Sequence, residues 1–141
     1  MQPAIESLRN TLRLPTFEKK VLDSLQLVRA LEREYLGGME EEWFTQAVRG
    51  FINVTLEAAE DGGHTLREMF FATIVPGVLA EGQVPAEVLI RSSTTFLNLL
   101  GSQLLLETEQ GHQKDAAVWF ATFAGSYMQD LYQACNAEPT S

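Results

Sequence analysis

Cysteine, histidine and positive charge are all scarce in this chain of 141 residues. A single cysteine, Cys135, excludes an internal disulfide framework and a cysteine-based zinc site. Two histidines, His64 and His112, leave few ligands for a transition metal, so neither a metal centre nor a resident cofactor is expected. Ten Lys and Arg against nineteen Asp and Glu give a net charge of −9, which argues against general nucleic-acid binding. No strict two-residue alternation and no Asn-Gly hairpin dipeptide is present. There is no G-x-S-x-G and no P-loop, so an enzyme is not expected. A basic stretch followed by an apolar one is missing from the start, and the expected location is cytoplasmic. What is present is a globular composition, 45% hydrophobic and 21% charged.

Between breakers the apolar residues recur at three and four, the helix period. Pro3 and Pro15 bracket a short helical stretch. A second helix is predicted from Thr16 as N-cap, with Phe17, Val21, Leu25, Val28, Leu31 and Tyr35 on one face and Gly37 ending it in the left-handed conformation. Glu40, Glu41 and Glu42 suit the positive end of a third. Thr65 and Glu68 have the spacing of a capping box for the fourth, and Pro76 inside it predicts a kink or an early stop near Val75. Pro85 is placed to be the first residue of the fifth. The sixth spans about 114–135. The pattern predicts an all-α fold, globin-like or bundle-like, of five main helices plus a short N-terminal one. Its expected divisions are a helical arm over 1–36, a helical domain over 37–136 and a polar tail over 137–141.

Charge is unevenly placed. Residues 1–36 hold six basic and five acidic groups, whereas 37–141 hold four and fourteen. Residues 88–106 carry only Arg91, and 116–129 carry no charge. Ser92, Ser93, Thr94, Thr95, Asn98, Ser102 and Gln103, and later Thr122, Gly125 and Ser126, stand where an ordinary surface helix shows charge. A chain this short has limited interior to hide two such helices. The expectation is a symmetric homodimer built on the last two helices, with Leu89, Phe96, Leu100, Phe120, Phe123 and Tyr127 at the interface. Spanning a membrane with 88–106 is disfavoured, because Arg91, Asn98, Gln103 and the hydroxyls would enter hydrocarbon.

Each chemical candidate has a plainer account beside it. The run from His64 to Glu68 resembles the motif around the phospho-accepting histidine of phosphotransfer (Hpt) domains, with Arg67 as the cation. A histidine phosphotransfer protein using His64 is therefore the alternative function. A capping turn explains the same residues without special chemistry. His112 reads as a loop residue, Glu40 to Glu42 point in different directions, and Glu107 and Glu109 read as solvated charge. Cys135 reads as a small packed residue. Phe51, Phe70, Ile74 and Trp119 are candidate linings for a ligand pocket between helices, with Pro76 and Gly77 leaving room for it.

The runs Phe51 to Leu56, Glu60-Asp61, Leu66 to Leu79, the Glu81-Gly82-Gln83-Val84-Pro85 turn, and Val88 to Leu100 resemble the N-terminal sensory domains of RsbR-type stressosome regulators (the RsbRD N-terminal type). The resemblance covers about residues 43–135 and consists of a shared hydrophobic pattern. It implies a globin-like helical fold without haem and a dimer serving as a signal-input module. It also implies an unidentified small-molecule signal and STAS-domain or switch-kinase partners. Family members usually continue into a STAS domain, whereas this sequence stops at Ser141, so the resemblance implies either a stand-alone paralogue or an excised domain, and a stand-alone chain would act by binding a partner in trans.

Overall fold

The computed structural model describes residues 2–81 and 84–136. The tail expected over 137–141 and the Gly82-Gln83 part of one turn lie outside them. Among the described residues there are seven α-helices and no strand. The helices are α1 (Gln2–Leu12), α2 (Pro15–Leu31), α3 (Arg33–Leu36), α4 (Glu41–Asp61), α5 (Thr65–Glu81), α6 (Ala86–Glu107) and α7 (Gln113–Asn136). A 3-10 turn, Gln110–His112, leads into α7. The all-α class follows from the helical period, and among the described residues no helix is long and apolar enough to cross a membrane.

Local punctuation differs from expectation at several ends. Pro15, not Thr16, opens α2, because its fixed φ suits the first helical residue; the extended Leu14 precedes it without a side-chain cap. The single helix expected up to Tyr35 breaks at Glu32 (φ −108°, ψ 37°), which makes α3 the additional helix. At that break the Glu32 carboxylate accepts two bonds from Arg91 of α6, at 2.6 and 2.8 Å. The hydrogen bond and charge of Arg91 hold the Glu32 carboxyl below its ordinary range.

Gly37 is right-handed (φ −63°), contrary to its expected role. The carbonyls after α3 are satisfied instead by Arg29, whose guanidinium donates to Leu36, Gly37 and Met39 oxygens, so no left-handed turn is needed. Gly62 has a positive φ (73°), and its N–H closes α4 on the Ala58 carbonyl.

Thr65 lies inside α5 rather than capping it. The Leu66 N–H donates to Glu57 Oε1 of α4 at 2.9 Å, a cap supplied across the turn. α5 continues past Pro76 to Glu81 without the expected stop. Pro76 and Ala72 are exposed, so the carbonyl that loses its partner can be hydrated. Pro85 is the residue before α6, not its first.

The expected N-terminal arm is part of the core. Leu8 and Leu12 of α1 and Phe17, Val21 and Val28 of α2 join one buried cluster with residues of α4, α5, α6 and α7. α1 packs on α4 and α7, and α2 on α4 and α6. Those two helices supply the cover that the bland α6 and α7 need. The balanced charge of 1–36 belongs to their outer sides. A smaller cluster of Leu36, Phe44, Val84 and Val88 closes one end.

α6 and α7 approach closely at Gly101, where a β-carbon would lie 2.6 Å from Cε1 of the buried Phe120 ring. Gly125, on the exposed side of α7, faces open space. The two positions therefore respond with opposite sign. Gly101→Val is expected to cost about 2–3 kcal/mol through overpacking. Gly125→Ala is expected to stabilise by about 0.5–1 kcal/mol through helix propensity. Urea midpoints check both.

Candidate functional site

A cleft open to solvent lies where α2, α3, α4, α5, α6 and α7 meet, with a cavity volume of about 90 Å³. Small-molecule sites run from about 300 to 1,000 Å³, so this cavity is smaller than an ordinary one and its occupant would extend into the open mouth. α4 presents Trp43, Phe44, Ala47, Val48 and Phe51, one stripe at helical spacing. α5 adds Phe70, Phe71, Ile74 and Val75. α6 adds Leu89, Ser92, Ser93 and Phe96, and α7 adds Tyr127 and Leu131. Leu25, Val28 and Leu36 complete it from α2 and α3. No charged side chain is among these residues.

The polar atoms in the wall are few. The Ser92 hydroxyl donates to the Leu89 carbonyl at 3.1 Å, leaving its lone pairs. Ser93 is half-buried, as is Trp43 at the other side. Burial pushes the Tyr127 phenol far above its ordinary value of 10.0, with the Arg67 charge pulling weakly the other way. The sign of the consequence is definite. Below pH 10 both folded and unfolded chains keep the proton. Above it the unfolded chain ionises first, so Tyr127 makes stability fall as pH rises. Tyr127→Phe is expected to flatten that alkaline limb, measured as the urea midpoint against pH.

Three of the four residues proposed from sequence for a pocket meet here: Phe51, Phe70 and Ile74. Trp119 does not. Its ring stacks on Phe123, one turn along the same helix, at 5.4 Å and 3°. Ala47 is not among the sequence candidates, although its spacing of four from Phe51 is the available signal. Ser92 was assigned to an outer side and is buried in the wall. Gly77 sits across from Trp43, with its β-position 3.7 Å from the indole nitrogen.

The six residues expected at a dimer interface lie inside this chain. Phe96, Leu100, Phe120, Phe123 and Tyr127 are buried, and Leu89 lines the cleft. Seven helices in one chain enclose more interior than the length suggested, so these side chains are already covered. The outer side of α7 carries the exposed Val118, Thr122, Gly125 and Tyr132 instead.

The remaining candidates are scattered. His64 is exposed in the turn before α5, while Arg67 points inward, 2.9 Å from Asp130 of α7. His112 stands 3.6 Å from Glu109 in the 3-10 turn. Glu41 pairs with Gln26 and Arg29. Burial pushes the Cys135 thiol up, away from the thiolate. Among the described residues no group of three or more His, Cys, Asp or Glu is placed to hold a metal ion. No family model matches the chain, no curated protein matches it, and no solved structure matches it.

Proposed function

We propose that this chain is a non-enzymatic sensory or regulatory module that takes a small ligand in its aromatic cleft and passes occupancy to a protein partner. The observation that carries this reading is the cleft: six helices supply its walls, and no ionisable pair is among its lining residues. A molecule seated there touches every major helix except α1. Occupancy then favours whichever packing of those helices binds it better, and the shift is limited to the difference in affinity. The hydrophobic pattern shared with RsbR-type sensory domains supports the same role. It brings with it a globin-like arrangement without haem, a cytoplasmic setting and a STAS-domain or switch-kinase partner.

A homodimer belongs to the proposal, with its contact moved to the outer side of α7. A protein of net charge −9 repels its own copies, and the outward residues of 116–129 are free of charge. Val118 and Tyr132, 54% and 57% exposed, are the apolar anchors on that side. Val118→Glu is expected to convert a dimer into a monomer in sedimentation.

Hydrogen exchange tests the sensory reading. The wild-type protein is compared with and without the apolar fluorophore N-phenyl-1-naphthylamine. Slower exchange in α5, α6 and α7, with a change in association state, is the expected result. Probe binding that alters neither exchange nor association would overturn the reading.

A further inference from the structure

We infer that the cleft selects an uncharged, mostly apolar ligand bearing at most one hydroxyl or carbonyl group, and discriminates against ionised amphiphiles of the same length. The inference rests on the cleft being the ligand site proposed above and assigns the chemical class that site would take.

The wall explains the apolar part. Aromatic rings of α4 and α5 face aliphatic residues of α2 and α6, and the polar groups among them are hydroxyls and an indole N–H. A hydroxyl wall can satisfy one neutral donor or acceptor. An ionised group placed there loses its hydration with no opposite charge to replace it.

The cations that could serve such a group are already engaged. Arg29 follows the lining residue Val28 and lies over the Phe44 ring at 4.5 Å. Its donors go to three main-chain carbonyls and to Glu41. Arg91 precedes Ser92 and is turned to Glu32. Arg67, one turn before Phe71, is 94% buried against Asp130. None of the three is among the cleft residues. The net charge of −9 adds a long-range penalty for anions. Cationic amphiphiles meet the reciprocal obstacle, because no carboxylate lines the cleft.

The volume limits how much of a ligand is enclosed. With a cavity of about 90 Å³, the cleft encloses only part of a two- or three-ring aromatic or of a ten-carbon chain, and the remainder lies along its open mouth. The Ser92 and Ser93 side is where a terminal hydroxyl or carbonyl finds partners.

The test is fluorescence displacement on the full chain. N-phenyl-1-naphthylamine serves as the neutral probe, and its 8-sulfonate analogue, 1-anilinonaphthalene-8-sulfonate, as the charged one. The neutral probe is expected to bind about tenfold or more tightly. Displacement by 1-decanol is expected at about tenfold lower concentration than by decanoate or decylammonium. Equal potency of decanol and decanoate would overturn the ligand class while leaving the cleft as a site. Ser93→Phe and Ala47→Leu both fill the cleft, and each is first checked for helical content. Loss of probe binding in a folded variant supports the site. Full binding in both, or no binding of the neutral probe to the wild-type chain, overturns the inference and the pocket together.

Discussion

Phe51→Ala is expected to remove about 3–5 kcal/mol of stability, the largest loss of any single substitution considered. Phe51 is 2% exposed at the centre of α4. Its ring meets Phe96 of α6 at 5.2 Å, Phe123 of α7 at 6.3 Å and Tyr127 of α7 at 5.2 Å, all near edge-to-face. Truncation loses the transfer free energy of the ring and three quadrupole contacts, and leaves a void beside the cleft. Against a total stability of about 5–15 kcal/mol for a domain, that loss brings the chain close to its threshold. Urea unfolding checks it. Phe51→Leu keeps most of the volume and is expected to cost less than half as much. Equal stability of wild type and Phe51→Ala would show that the three helices do not pack through this ring.

The second large effect is an asymmetry between Arg67 and Asp130. The Arg67 side chain is 6% exposed and that of Asp130 is 38% exposed. Arg67 Nε is buried without a hydrogen-bond partner. Desolvation therefore falls mainly on the arginine. Asp130→Asn leaves a buried guanidinium with a weaker acceptor and is expected to cost about 2 kcal/mol, below the range for fully buried pairs because water reaches the aspartate side. Arg67→Met removes the buried charge, keeps an unbranched apolar stem and is expected to lie within about 1 kcal/mol of wild type. In the Arg67→Met background, Asp130→Asn is expected to cost almost nothing. A double-mutant cycle measures the coupling, and additive losses would sink the account.

Much of the helix content was legible because it is local. Spacing of three and four marked the faces of α2, α4 and α7, and apolar positions of α4 and α5 led to Phe51, Phe70 and Ile74 of the cleft. Helix ends were read less well. Thr16, Thr65 and Gly37 have the right chemistry for caps, but α2 opens at Pro15 with no side-chain cap, and a carboxylate and a guanidinium from other helices serve the other two ends. Glu57 reaches across to α5 and Arg29 to the carbonyls after α3. Sequence spacing carries no trace of partners brought together by packing. Ser92 misled for a related reason: a small polar residue that bonds its own helix backbone can be buried at little cost.

The sequence by itself determined the helical class, the acidic charge and the two helices with almost no charge, because period and composition act within a few residues. The tertiary structure decided what covers those helices. α1 and α2, which looked like a solvated arm, hold Leu8, Phe17 and Val21 against the same core. The apolar stripe predicted as a contact between two copies is thereby consumed inside one. The aromatic cleft arises where six helices converge without filling the space. Convergence of that kind depends on the angles and distances between helices, which no local pattern records.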